Sequence, residues 1–255
     1  MTTPPDKDFD QLRSEHTPEA IRRRLQYGPK HNYLRDFVYG AVDGAVTTFA
    51  VVSGVAGAHL SVHIVMILGL ANLIADGFSM AVSNFLGTQA EHELRQQARK
   101  MEEQHIKKIP EGEREEVRQI FAAKGFKGED LERAVNIITS NPNLWVETML
   151  QEEMGISGKE PSAWQAALST FSAFVIIGSF PLLSFFFHFI FPAVGFNPFY
   201  LSAIITGIAF FIVGALKGQF VGKPWLAAGL ETFFVGGAAA FLAYLVGVLL
   251  RGAAG

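Results

Sequence analysis

The sequence predicts an all-α fold: a five-span helical membrane protein with a cytoplasmic helical domain inserted between spans 2 and 3. Of the 255 residues, 49% are hydrophobic and 23 are Phe, and the mean hydropathy is +0.25. Five apolar segments have about the 20 residues that a helix needs to cross a bilayer. They are residues 37–59, 62–87, 164–190, 198–216 and 225–250.

The distribution of Lys and Arg predicts how these spans are oriented. Residues 1–36 hold seven, residues 88–163 hold eleven, the 217–224 loop holds two and the C-terminal tail holds one. The connections at 60–61 and 191–197 hold none. The positive-inside rule therefore puts the N-terminus and the polar insert in the cytoplasm and the C-terminus outside.

Four regions follow from this pattern. Residues 1–36 are polar and lack the apolar core of a signal peptide. Within them, a short helix from Pro18 to about Tyr27 carries three consecutive arginines, and we expect it to lie on the cytoplasmic membrane face. Residues 37–87 form spans 1 and 2, residues 88–160 form the helical domain and residues 161–255 form spans 3 to 5.

Composition excludes several kinds of chemistry. The chain has no Cys, so it has no disulfide, thiolate metal site or catalytic cysteine, and carboxylate, imidazole, thioether or amide groups must hold any metal. The net charge of −3 is too small to suggest a nucleic-acid partner. We predict no catalytic residue and no catalytic cofactor.

A polar stripe runs along the second span. Asn72, Asp76, Met80 and Asn84 are spaced four apart, so they share one side of a helix. Polar groups inside a membrane helix are costly and mark either a pathway or a helix contact. The two amides are equally well explained by contacts, whereas Asp76 beside Met80 favours an ion pathway.

The first span supplies acids opposite this stripe. At a rise of 1.5 Å per residue, Asp43 lies about 9–10 Å from the cytoplasmic end. Met80 on the antiparallel second span lies at the same depth, and Thr47 similarly matches Asp76. Asp36 is expected at the cytoplasmic mouth.

Small residues of the first span predict close helix contacts. Gly40 and Gly44, and Ser53 and Gly57, are each four apart, a spacing that lets two helix backbones approach. This face is a candidate interface between two copies in a homodimer, and packing within one subunit is nearly as good an explanation.

Three residues of the later spans are singled out. Pro181 is expected to kink the third span. His188 is interpreted as an interfacial residue rather than a ligand. Glu231 is an acid inside the fifth span, and a pathway role and a structural ion pair explain this position equally well.

The polar domain reads as helices over about 88–108, 112–124, 129–140 and 143–154. Potential metal ligands recur on its helices at spacings of one or three turns: Glu91, Glu102 and His105; Glu113 and Glu116; Met149 and Glu153. This ligand set suits Fe²⁺ or Mn²⁺, with Zn²⁺ and Co²⁺ as possible competitors. The spacing alone is equally consistent with a solvated face of salt-bridged helices.

The sequence resembles the vacuolar iron transporter family from about Asn32 to Arg251. The stretches that carry the resemblance are AVDGAVTTFAVVSGVAGA, ADGFSMA, IPEGEREEV and WVETMLQEEMGI. The resemblance implies a dimer of five-span subunits that moves Fe²⁺, and often Mn²⁺, out of the cytoplasm in exchange for protons.

The resemblance also implies roles for individual residues. Asp43 and Met80 match the family's pathway positions, and Asp36 matches the acid at the entrance. The cytoplasmic ligands of the family match Glu102, Glu113, Glu116, Met149 and Glu153.

Four positions depart from the family pattern. His105 replaces the second Glu of an ExxE pair. Asn72 and Asn84 stand where Glu is common, and Asp76 stands where Gly is common. The intramembrane acid has thus moved one turn along the same stripe, which bears on metal preference and proton coupling.

Two other functions compete with metal/proton exchange. A membrane-anchored ferritin-like ferroxidase would need two Glu-x-x-His pairs, and the domain offers one, Glu102 and His105. A channel with a regulatory metal sensor is the other alternative. We expect an integral protein of a bacterial plasma membrane, with the vacuolar membrane as the alternative, in contact with lipid, divalent ions and protons.

Overall fold

The computed structural model describes residues 9–27, 32–156, 161–192 and 195–253. All regular structure in these ranges is helical. The α-helices are α1 (Phe9–Glu15), α2 (Pro18–Tyr27), α3 (Leu34–Gly57), α4 (Val62–Lys108), α5 (Pro110–Ala123), α6 (Gly128–Thr139), α7 (Pro142–Glu152), α8 (Ala163–Gly178), α9 (Phe180–Ile190), α10 (Pro198–Val221) and α11 (Trp225–Leu250).

The chain divides into two compact units, one comprising Met1–Phe85 with Ser162–Gly255 and the other Leu86–Pro161. In the described residues, α3, α4, α10 and α11 are long and apolar enough to cross a membrane. The bent pair α8–α9 makes a fifth span if it counts as one. The prediction of an all-helical protein with several spans is confirmed.

Local sequence explains where the helices begin. Pro110, Pro142 and Pro198 stand in the first turns of α5, α7 and α10, where a missing N–H costs nothing. The Asn141 side chain accepts hydrogen bonds from the N–H groups of Asn143 and Leu144, which caps α7. The second predicted span and the first predicted domain helix form a single helix, because no residue between 62 and 108 interrupts α4.

The third span bends at the predicted proline. α8 ends at Gly178, α9 begins at Phe180, and the two axes differ by 47°. Pro181 has no N–H, so it cannot continue the hydrogen bonding of α8. Two hydrogen bonds hold the bent segment against α10. Ser202 Oγ of α10 donates to the Pro181 carbonyl at 2.6 Å. Ser184 Oγ of α9 donates to the Pro198 carbonyl at 2.8 Å.

The small residues of α3 pack inside the subunit. A Cβ atom added to Gly40 would lie 2.3 Å from the Thr170 carbonyl oxygen, and one added to Gly44 would lie 2.5 Å from that of Phe174. Gly57 approaches the backbone of Tyr244 in the same way. The hypothesis that the Gly40 and Gly44 face joins two subunits is therefore wrong, because α8 already covers it.

Candidate functional site

The membrane unit holds a group of polar side chains near the start of α3, where α3 meets α4 and α8. Asn84 Nδ2 donates to Asp36 Oδ1 at 2.9 Å and to Thr170 Oγ1 at 2.7 Å. Thr170 Oγ1 donates in turn to the Asp36 main-chain carbonyl at 3.4 Å. Sequence reasoning missed Thr170, because it is one of four uncharged polar residues on α8 and no spacing singles it out.

A second link between the two helices lies further along α3. Asn72 Nδ2 donates to Thr47 Oγ1 at 3.4 Å, and Thr47 Oγ1 donates to the Asp43 carbonyl oxygen at 2.9 Å. With Asp36 opposite Asn84 and Thr47 opposite Asn72, Asp43 falls opposite Asp76. The carboxylates of Asp43 and Asp76 are close enough to repel each other.

The observed register differs by one helical turn from the predicted one. The prediction pairs Asp43 with Met80 and Thr47 with Asp76, because it takes both spans to end at the same membrane level. In the structure α4 continues well past residue 87, and side-chain hydrogen bonds set the register instead. Met80 is half-buried and packs against the apolar cluster that contains Phe174 and Leu73.

Both acids of this pair lie on an uncovered face of the unit. Asp43, Asp76 and Tyr39 are exposed, and large apolar side chains of α4 are exposed beside them, including Ile74 and Phe78. Carboxylates are not left facing lipid. The described residues of this unit thus leave both acids without a polar covering.

Glu231 and His188, the other polar residues discussed for the later spans, contact other side chains of the membrane unit. Glu231 pairs with Lys223 Nζ at 3.1 Å and lies 3.9 Å from Lys217 Nζ, which favours the structural of its two explanations. His188 packs edge-on against the ring of Phe196, with 5.6 Å between ring centroids.

The other unit holds a compact group of metal-ligand types. Glu102 of α4, His105 of α4 and Glu113 of α5 each place one ligand atom within 4.8 Å of those of the other two. His105 Nδ1 lies 3.5 Å from Glu113 Oε1. Glu102 and Glu113 are buried, at 1% and 6% exposure, while His105 faces solvent.

Glu116 and Glu153 lie close enough to Glu102 for their charges to raise its pKa. Burial is the largest cause that raises the pKa of Glu102, to about 8, followed by the adjacent Glu113 carboxyl and by the charges of Glu153 and Glu116. Both carboxyl oxygens of Glu102 are buried without a hydrogen-bond partner among the described residues. Burial, and then the charges of Glu113 and Glu153, also raise the pKa of Glu116. Four carboxylates from α4, α5 and the end of α7 thus converge.

The remaining acids of this unit behave differently. Arg95 and Arg99 pair with Glu147, Arg99 also pairs with Glu103, Arg118 pairs with Glu115 and Glu132, and Lys124 pairs with Glu152. Among the described residues, none of the four converging carboxylates has a Lys or Arg partner. The salt-bridged helical face exists, but it comprises other residues than the converging group.

Glu91 and Met149 stand apart from this group. Glu91 is exposed and precedes Glu102 by three turns, about 16 Å along the helix, so the two cannot share one ion within a subunit. Met149 is fully buried in the apolar cluster with Val117 and Trp145. It is linked to Glu153 through the backbone, since the Glu153 N–H donates to the Met149 carbonyl at 3.0 Å.

These features define a helical membrane protein with facing acids in its spanning helices and an uncompensated carboxylate group in a second helical unit. The chain belongs to the VIT family, whose profile matches residues 34–248, and the resemblance found in the sequence is confirmed.

Three relatives illustrate the extent of the similarity. A vacuolar iron transporter of Toxoplasma gondii is 31% identical over 258 residues, with 96% of this chain and 85% of the relative covered. Vacuolar iron transporter 1 of Arabidopsis thaliana is 31% identical, with 86% of each chain covered. A vacuolar iron transporter of Plasmodium falciparum is 29% identical, with 95% of this chain and 92% of the relative covered.

Proposed function

We propose that this protein is a transporter that exports Fe²⁺, Mn²⁺ or both from the cytoplasm in exchange for protons. The names of its relatives indicate iron, and carboxylate and imidazole ligands also suit Mn²⁺, with Zn²⁺ and Co²⁺ as competitors. The observation that carries the proposal is the juxtaposition of Asp43 and Asp76 on two apolar spanning helices.

Two like charges in a membrane helix pair need a counter-ion. A divalent cation between Asp43 and Asp76 would replace their repulsion with two attractive contacts and supply oxygen ligands in place of water. When the ion leaves, a proton can neutralise the same site. One pair of acids can therefore alternate between metal and proton, which is the requirement of an exchanger.

The converging carboxylates of the second unit serve as the collecting site in this proposal. Glu102, Glu113, Glu116 and Glu153, with the His105 imidazole, offer hard oxygen ligands and one nitrogen ligand to a divalent ion. The absence of Lys and Arg partners among the described residues supports this role, because no Lys or Arg occupies the place that a divalent cation would take. Met149 and Glu91 are further candidate ligands, Met149 through its thioether after local rearrangement.

A homodimer would supply the covering that Asp43 and Asp76 require. In this proposal the uncovered face of α3 and α4, with Tyr39 and Asp43, meets the same face of a second copy. A two-fold axis along this contact would bring two pairs of acids together around one path, with Asp36 at its entrance and Met80 beside it.

A flux assay tests the function directly. The full-length protein is reconstituted into proteoliposomes, and uptake of Fe²⁺, Mn²⁺, Zn²⁺ and Co²⁺ is followed together with internal pH. We expect Fe²⁺ or Mn²⁺ flux that is accelerated by an opposing proton gradient and moves protons the other way. Flux without any proton movement would instead indicate the channel with a metal sensor.

The group formed by Glu102, His105 and Glu113 keeps a ferroxidase as the second candidate, because it includes one Glu-x-x-His pair. A di-iron enzyme would consume O₂ in proportion to added Fe²⁺, whereas the transporter would not. Oxygen-electrode measurements on the purified protein separate the two functions.

A further inference from the structure

The helix α2 combines an apolar stripe with arginines that the rest of the structure does not use. Pro18, Ile21 and Leu25 line one shared surface together with Arg22. Leu25 is 75% exposed, and neither it nor Ile21 belongs to an apolar cluster of the described residues.

The arginines are placed on both sides of this stripe. At 100° per residue, Arg22 and Arg24 lie roughly 70–90° to either side of it, and Arg23 lies opposite. An apolar stripe flanked by long basic side chains is the geometry of a helix lying in a membrane interface, because the side chains can reach headgroup phosphates while the stripe enters the acyl region.

Four of the five arginines of the second unit have side-chain partners. Arg95, Arg99, Arg114 and Arg118 all contact acidic or polar side chains. By comparison, Arg22, Arg23 and Arg24 have no ion-pair partner in the part of the chain that the structure describes. Their charge is thus available for an anionic surface outside the protein.

Chain length keeps α2 near a bilayer. Six residues separate Tyr27 from Leu34, where α3 begins, and a fully extended chain of this length spans at most roughly 25 Å. Phe9, 75% exposed, adds a similar apolar residue on the preceding helix α1. We propose that α2 docks on the anionic lipid surface of the leaflet next to the start of α3, with Leu25 and Ile21 inserted and Arg22 and Arg24 bound to lipid phosphates.

The absence of Cys permits a direct test on the full-length protein. Leu25→Cys and, as the control on the opposite side of α2, Ala20→Cys are each labelled with a nitroxide and reconstituted into nanodiscs. The discs contain either phosphatidylcholine alone or phosphatidylcholine with about 30% anionic phosphatidylglycerol, enough to give a strong negative surface potential. Collision with O₂ and with a water-soluble nickel chelate reports whether each label lies in lipid or in water.

We expect the residue 25 label to lie in lipid in anionic discs and to return to water in neutral discs or at about 1 M salt. The residue 20 label should stay in water throughout. Since each arginine near an anionic surface strengthens binding about fivefold, replacing Arg22 and Arg24 with Gln should weaken docking about 25-fold. A triple variant that also replaces Arg23, on the opposite side of α2, should lose little more.

Two results would overturn the proposal: a residue 25 label that faces water in anionic discs, or one that is shielded equally in neutral discs and in detergent. The second result would mean that α2 docks on protein. The inference does not depend on metal transport, and an unchanged melting temperature of the triple variant would show that lost docking is not lost folding.

Discussion

Asn84 of α4 donates one hydrogen bond to the Asp36 carboxylate of α3 and another to the Thr170 hydroxyl of α8. A single amide therefore joins three helices at one end of the membrane unit. A Glu at this position, which the family resemblance leads one to expect, would place two carboxylates against each other. The amide instead holds Asp36 in place and fixes the register that sets Asp43 opposite Asp76.

This register gives a prediction for transport. Asp43→Ala should abolish metal flux while metal binding by the purified protein stays within about twofold, because the collecting site lies in the other unit. Asp76→Asn keeps the shape but cannot titrate, so proton movement should suffer more than metal movement. Proteoliposome flux recorded with internal pH provides the measurement.

Glu231→Gln is the matched control for these variants. It also removes an acid from a spanning helix, but this acid is paired with Lys223, so flux should be nearly normal. If Asp43→Ala transports as well as Glu231→Gln, the path does not include Asp43. Met80→Ala should reduce flux and shift the preference toward Mn²⁺, because the thioether is the softer ligand.

The collecting site gives a second prediction. Glu113→Ala with Glu116→Ala should weaken binding of Mn²⁺ at least tenfold, since it removes two of the four converging carboxylates. Isothermal titration of the full-length protein in detergent measures this. The double variant Glu115→Ala with Glu132→Ala removes the same number of charges from the same unit, but these acids already pair with Arg118. Equal affinity of the two double variants would rule out the assigned site.

The raised pKa of Glu102 predicts a pH dependence of stability. Its pKa is about 8 in the folded protein against an ordinary 4.5, so the folded state binds the proton more tightly. The stabilisation is complete below about pH 4.5 and is lost as pH rises to about 8. Across this window the free energy of unfolding of the metal-free unit should fall by about 2–4 kcal/mol.

Glu102→Gln should flatten this pH dependence, because the amide stays neutral at every pH. Thermal melting in EDTA at pH 5, 6.5 and 8 compares the two proteins. Metal binding requires the ionised carboxylate of Glu102, so Mn²⁺ affinity should weaken as pH falls below about 8. A wild-type melting temperature that rises with pH in EDTA would contradict the assignment.

The glycines of α3 predict a defect in folding rather than in assembly. Gly44→Ala places a methyl group against the Phe174 backbone and should destabilise the subunit by about 1–3 kcal/mol, as overpacking does. Gly237→Ala is the control in the same unit, because no atom lies within 4 Å of its added Cβ. Melting and size-exclusion chromatography in detergent should show a lower melting temperature for Gly44→Ala and an unchanged oligomeric state.

Much of the fold follows from local sequence, whereas long-range packing does not. The predicted bend at Pro181 and the helix start at Pro18 agree with the structure, because a proline acts on its immediate neighbours. The packing role of Gly40 and the partner of Asp43 depend on which helix lies alongside. The sequence alone does not show which helix this is, because Gly40 could pack equally well against the α8 backbone or against a second subunit.

For the candidate ligands too, the sequence predicts neighbours on one helix but not partners on other helices. Helix periodicity placed Glu102 beside His105 and Glu113 beside Glu116. It also pairs Glu115 with Arg118 three residues on. It could not show that Arg118 binds Glu132 of α6 as well, or that Glu113 of α5 meets Glu102 and His105 of α4. Those partners come from the three-dimensional arrangement of α4, α5 and α6.

The glycine contacts also indicate which span can move during a transport cycle. Gly40 and Gly44 bring α3 against the backbone of α8, and Gly214 brings α10 against that of α11, so these helices cannot slide without breaking tight main-chain contacts. Gly69 and Gly77 of α4 meet only side chains, those of Leu182 and of Phe171 and Phe174. Side chains change rotamer readily, so we expect the apolar part of α4 to shift more easily than α3, α8, α10 and α11.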